Sequence, residues 1–335
     1  MILIIAVCIL ILILFVSCRR NRTTENELID FDTSTCLKGF AILLVFIHHF
    51  GQLLSEIYNG HSFLGYLGVT IFLFISGYVT EKQLLNKGKC YIGASFIKKK
   101  LIRLYLPYLL CVLFFALIGG HGFSQTVEEI LDVKGDWFLS AISIFFILFL
   151  VVNRMMLKVD SEEKIIGGGG YLLLVAIIAY IAVCVLFKIP SVWYSTALSF
   201  PAGVFAAIYE KKERSFPFSG CKVAIPIVST CIFVGMSMMR IEYAMTSTLG
   251  SLSFAFVIWA LCERIEMKNK VLAFFGTISW EFYLCHTRLL FIGKDRFADS
   301  PLVWFIFSFL CSVIIAKSLH LLLDLILKRV NQKRN

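Results

Sequence analysis

The sequence predicts an all-α, polytopic transmembrane helix bundle, on three observations. Of 335 residues, 59% are hydrophobic and only 16% are charged, with a mean hydropathy of +0.85; a soluble domain carries about a quarter charged residues. The apolar residues fall in blocks close to the roughly 20 that a helix needs to cross about 30 Å of hydrocarbon. Lys and Arg are distributed unevenly about those blocks.

Taken in order, the first block covers residues 2–18, and ten more follow at about 38–54, 64–80, 101–119, 136–152, 171–187, 193–209, 222–239, 246–262, 271–291 and 302–326. Little chain is left between them, so residues 31–335 read as one membrane domain, preceded over 1–30 by an extra hydrophobic segment and a polar linker. Phe15-Val16-Ser17-Cys18 has a faint likeness to a lipoprotein cleavage site. The segment lacks a basic start, however, and cleavage would leave Arg19, Arg20 and Arg22 outside, so an extra span is the expectation. Gly167–Gly170 reads as a flexible hinge, because no flanking motif makes it a phosphate loop.

Of the 32 Lys and Arg residues, 25 lie in connectors on one side of the alternating blocks and 5 on the other. Positive charge stays inside, which predicts a multi-pass protein of the cytoplasmic membrane with a cytoplasmic C-terminus. The net charge of +10 and pI near 9.0 therefore orient the chain in lipid and do not call for a nucleic-acid partner. Eleven cysteines without a CxxC, none in the outer connectors, argue against disulfides and Cys-bound metal. Neither HExxH, GxSxG nor a Walker loop occurs.

Polar groups at membrane depth are costly and mark candidate sites. His49 follows Lys38 by 11 residues, about 16 Å along a helix at 1.5 Å per residue, which puts an imidazole near mid-membrane. His48 and His49, about 100° apart on the helix, are not expected to face one cavity together. A neutral His there serves either as a general base or as interhelical glue. In Gly65–Tyr78, Ser76 and Gly77 belong to a run of small residues and aromatics that suits close helix packing. Lys100 and Arg103 share one helix face at the inner edge, where they either clamp phosphates or anchor lipid headgroups. Trp137 opens a span as an interfacial aromatic. Glu281, His286 and Arg288 form a polar cluster, either a structural network or part of a cavity, and His320 with Asp324 reads as an i, i+4 pair.

In order along the chain, these stretches resemble the acyltransferase-3 family of bacterial membrane proteins. They are Lys38-Gly39 with His49, Gly68-Val69…Phe72…Ser76-Gly77, Lys100-Leu101-Ile102-Arg103…Pro107-Tyr108, Trp137-Phe138, Phe200…Gly203 and Ser279…Tyr283-Leu284…His286. The resemblance runs from about residue 30 to the end. It implies ten helices and transfer of an acyl group, usually acetyl from acetyl-CoA, to a cell-surface glycan, without a metal. On it, His49 is the catalytic histidine and Lys38 its partner at the inner edge. Lys100 and Arg103, with Ser76 and Gly77 beside them, contact the donor; Trp137, Glu281, Tyr283 and His286 belong to the acceptor side. Lys38 and Lys100 stand where the family usually has Arg, which keeps the charge but loses the bidentate fork. Some relatives carry an extracytoplasmic hydrolase-like domain. This chain has none, so it is expected to act alone or with a separate extracytoplasmic transferase, in contact with membrane lipid and a glycan acceptor. The rival reading is a transporter or flippase with His49, Glu281 and His286 along its path.

Overall fold

The computed structural model describes residues 2–19, 27–54, 62–93, 95–120, 122–131, 136–159, 162–212, 223–239, 241 and 243–332. Arg20, Arg22, Arg240 and the 132–135 part of the connector before Trp137 lie outside them. Among the described residues the chain forms thirteen α-helices and one two-residue strand pair, Cys18–Arg19 against Glu266–Met267. The helices are α1 Ile2–Ser17, α2 Phe31–Leu54, α3 Ser62–Lys87, α4 Ser95–Gly119, α5 Phe123–Leu131, α6 Trp137–Val159 and α7 Glu162–Leu186. They continue with α8 Ser199–Lys211, α9 Ala224–Met238, α10 Ala244–Cys262, α11 Lys270–Thr277, α12 Ser279–Phe297 and α13 Pro301–Gln332. Seven (α2, α3, α4, α6, α7, α10 and α13) contain stretches long and apolar enough to cross a bilayer. The chain is a multi-pass, all-α membrane protein.

Chain entry into α2 is tied down at one end of the bundle. Asp30 caps the helix through Thr33 N, 2.7 Å from its Oδ1. Before it, Leu28 N donates to Glu210 Oε1 (2.9 Å) and Ile29 N to Tyr78 Oη (3.1 Å). The Tyr78 hydroxyl donates to Glu210 Oε2 at 2.6 Å, and Lys82 bridges Glu210 and Glu27 at 3.2 Å each. This network joins α3, α8 and the segment ahead of α2.

Two close crossings set the interior. A Cβ on Gly77 would fall on the carbonyl oxygen of Phe200, and one on Gly203 on that of Phe74, so α3 and α8 meet backbone to backbone. The same reciprocity joins α2 to α11, with Gly39 on the Leu272 carbonyl and Gly276 on that of Thr35. Small residues permit such approach where packing, not water, drives association.

Four sequence expectations change. The hinge expected at Gly167–Gly170 is part of the continuous helix α7, where Gly169 abuts Asn153 and Gly170 abuts Phe205 and Ile208: small residues admit neighbours here. The 193–209 span is only a 13-residue helix, α8. Ahead of it, Lys188 (φ 55°) closes α7, with Ile189 N on Cys184 O and Lys188 N on Val185 O. Pro190 then starts an irregular stretch with a 3₁₀ turn at Ser191–Trp193. The 222–239 block yields the 15-residue α9. The 271–291 block breaks at Ile278 (φ −105°, ψ 10°) into α11 and α12. At the break, Thr277 Oγ1 donates to Phe274 O and Ser279 Oγ to Gly276 O, side-chain bonds that stand in for the helical ladder.

Candidate active site

The two glycine crossings aim the residues next to them. Lys38 precedes Gly39, Ser76 precedes Gly77 and Thr277 follows Gly276. All three line one cavity of about 480 Å³ with Thr80, Lys100, Arg103, Ser279, Trp280, Glu281 and His320. Three cationic side chains thus converge from α2 and α4. Lys100 Nζ donates to Thr80 Oγ1 at 3.0 Å and lies 3.9 Å from the centre of the Phe146 ring, a contact stabilising to a cation. The break at Ile278 turns the N-terminal end of α12 onto the same cavity, where the helix dipole favours negative charge. Glu281 lies among these cations but is engaged by His320, Nδ1 to Oε1 at 3.1 Å. His320 in turn approaches Asp324, Nε2 to Oδ2 at 3.9 Å.

Aromatic rings close the far end. Tyr283 stacks on Trp280 (5.5 Å between centres, 6° between planes) and meets Phe138 at 5.2 Å. Beyond Tyr283 lies a second cavity of about 220 Å³, lined by His48, His49, Gln52, Gly65, Tyr66, Trp137, Thr196 and Tyr283 itself. Tyr283 is therefore a wall common to the basic cavity and the histidine cavity. Val192 and Thr196 come from the irregular stretch between α7 and α8. Non-helical backbone at membrane depth is tolerated where it lines a cavity.

His49 is half-buried, and its Nδ1 is 3.0 Å from Gln52 Oε1. With Nδ1–H donating to that oxygen, Nε2 keeps its lone pair. His286 is 1% exposed, with its ring centre 5.1 Å from that of His49. Its Nδ1 faces the carbonyls of Tyr283 (2.6 Å) and Phe282 (3.2 Å) and so must carry the proton. His286 Nε2 is buried with no hydrogen-bond partner among the described residues. Both imidazoles thus hold Nδ1 occupied and leave Nε2 unprotonated.

The sequence-based candidates divide between the two chambers. Lys38, Ser76, Lys100 and Arg103 line the basic cavity, so Lys38, expected as the partner of His49, lies with the donor-side candidates and is not among the residues lining the histidine chamber. Gly77 is not among its lining residues: it closes onto α8 and leaves the cavity wall to Ser76. Trp137 and Tyr283 line the chamber of His49, and His286 packs against that histidine. Glu281 departs from this grouping and faces the basic cavity. It does not pair with Arg288, which meets Glu129 instead at 3.6 Å. His48 also departs from expectation: both histidines line the second cavity, their ring centres 4.9 Å apart. The reason is Gly65, whose missing Cβ leaves room for the His48 ring. Gln52, three residues after His49 and so on its face of the helix, was findable from spacing; Thr80 and Thr196 carried no signal.

Compared with known proteins, the chain matches no curated protein and no solved structure. A family model described as an acyltransferase domain matches residues 31–320, which spans both cavities and all the candidate residues. By that match the chain belongs to this acyltransferase family and is a membrane enzyme that transfers acyl groups.

Proposed function

We propose that the protein moves an acetyl or other short acyl group from a cytoplasmic acyl-CoA to a hydroxyl of a glycan on the other side of the membrane. The observation that carries the reading is the shared wall: Tyr283 lines both the basic cavity and the histidine cavity. A donor with a polyanionic head and a thioester tip suits the first chamber, and a hydroxyl acceptor suits the second. The donor's phosphates lie against Lys38, Lys100 and Arg103 and near the N-terminal end of α12. Its arm runs past Ser76 toward the Trp280–Tyr283–Phe138 wall. The acceptor enters by Trp137. His49 Nε2 takes the proton of the acceptor hydroxyl as its oxygen attacks the thioester carbonyl; the C–S bond breaks and the thiolate leaves toward the basic end. Gln52 holds the His49 tautomer throughout. The basic end faces the cytoplasm on the distribution of Lys and Arg.

The test is CoA release by the purified protein in lipid, supplied with acetyl-CoA and a glycan acceptor. His49→Ala should cost about 10²- to 10⁴-fold in turnover, and Arg103→Ala should raise the donor KM. Unchanged turnover in a folded His49→Ala protein would sink the proposal.

A further inference from the structure

A third cavity, of about 170 Å³, lies beside the histidine chamber and is lined by Tyr108, Glu129, Asp136, Thr287 and Arg288 among others. It has room for on the order of ten water molecules, and so for one ring-sized polar group. Its placement follows from chain continuity. Asp136 lines this cavity, and the next residue, Trp137, lines the histidine chamber. On α12, Thr287 sits one helical turn beyond Tyr283, on the same face. It directly follows His286, whose ring packs against His49.

Its chemistry is mixed. The Arg288 guanidinium is 3.6 Å from Glu129 Oε2 and lies over the Phe115 ring at 5.3 Å. Its Nη1 is nevertheless buried and has no hydrogen-bond partner among the described residues. A pin between α5 and α12 would be made by the Glu129 contact alone. The Arg288 side chain as a whole is about a third exposed and lines the cavity, so its accessible part is available to a ligand there. Two carboxyl groups face one guanidinium here, so the cavity has no excess positive charge to offer an anion. Carboxylate oxygens accept from hydroxyls, and a guanidinium donates to hydroxyl or ring oxygens.

We propose that this cavity is the acceptor-selecting subsite: it holds an uncharged polyhydroxy ring while a hydroxyl of the acceptor reaches His49, and it disfavours anionic rings. Asp136 and Glu129 accept from ring hydroxyls, and the accessible part of the Arg288 side chain donates to a ring oxygen. A uronate in the same place would set its carboxylate against two others, which is how a site discriminates by repulsion. This assignment rests on the acyl-transfer reading and adds the acceptor's charge class to it.

The test uses the full chain in lipid nanodiscs and measures binding directly, by saturation-transfer NMR. The probes are methyl glycosides of glucose, galactose, mannose and N-acetylglucosamine, with methyl glucuronide as the anionic counterpart. At least one neutral glycoside should bind ten times more tightly than the glucuronide. Asp136→Asn and Arg288→Gln should each weaken that binding at least tenfold, with Thr287→Val as the milder substitution should Arg288→Gln fail to fold. Failure of the wild type to bind any neutral glycoside overturns the subsite, as does equal binding of the glucuronide or binding unmoved by the substitutions. CoA release by the same samples is read separately. Sugar binding as described without any acyl transfer defeats the acyl-transfer reading and leaves the subsite; transfer with substitution-insensitive sugar binding does the reverse.

Discussion

At the scale of single residues, the arrangement turns on which imidazole nitrogen is free. Gln52 Oε1 at 3.0 Å from His49 Nδ1 and the two carbonyls at His286 Nδ1 leave both Nε2 atoms as acceptors. A neutral amide is enough to hold that tautomer; one hydrogen bond contributes about 1 kcal/mol. Gln52→Ala should therefore lower turnover only about tenfold and leave the donor KM unchanged, whereas His49→Ala removes the base itself. A loss from Gln52→Ala as large as that from His49→Ala would mean that Gln52 touches substrate. Steady-state kinetics on both variants decides it. At this scale the sequence was informative in part. Lys38, Ser76, Lys100 and Arg103 were legible because ionisable or polar groups stand out in apolar helices. Thr80, which accepts from Lys100, was not, since a threonine in a span carries no such contrast.

At the scale of elements, the site depends on two backbone crossings. Gly77 with Gly203, and Gly39 with Gly276, bring α3 onto α8 and α2 onto α11 without intervening side chains. Each crossing fixes the rotation of a helix whose next residue faces the basic cavity. Gly77→Ala and Gly39→Ala should each destabilise by at least about 3 kcal/mol, at the upper end of overpacking, and lower the melting temperature in detergent. Gly235 in α9 is the control: nothing lies within 4 Å of a Cβ there. Gly235→Ala should be neutral or stabilise by up to about 1 kcal/mol through helix propensity. Equal losses in all three would refute the crossing argument. The glycines could be named from sequence, but not their partners, because Phe200 and Thr35 offer backbone carbonyls that any residue type would offer. The break at Ile278 was likewise hidden, since residues 271–291 read as one apolar run.

At the scale of the whole molecule, the two chambers lie in series, and the orientation in the bilayer decides which substrate meets which. On the proposed orientation, with the basic end cytoplasmic, the exposed Cys90, in the 3₁₀ turn just after α3, faces the cytoplasm. A membrane-impermeant maleimide should label inverted vesicles and not intact cells, and Cys90→Ser should reduce that labelling. Labelling of Cys90 in intact cells would reverse the assignment. Membership of the acyltransferase family decides for an enzyme over the transporter alternative.

What the sequence determined by itself was the class of fold and the contrast of Lys38, Lys100 and Arg103 against apolar helices. Hydropathy and charge act on each segment separately, and lipid imposes them without reference to neighbouring helices. Only the tertiary structure decided that Tyr283 stands between two chambers, that Glu281 faces the basic one, and that Arg288 turns to Glu129 in a third. Those outcomes depend on how each helix is rotated about its axis. Backbone approaches at four glycines and a helix break at Ile278 set that rotation, and neither leaves a periodic trace in the chain.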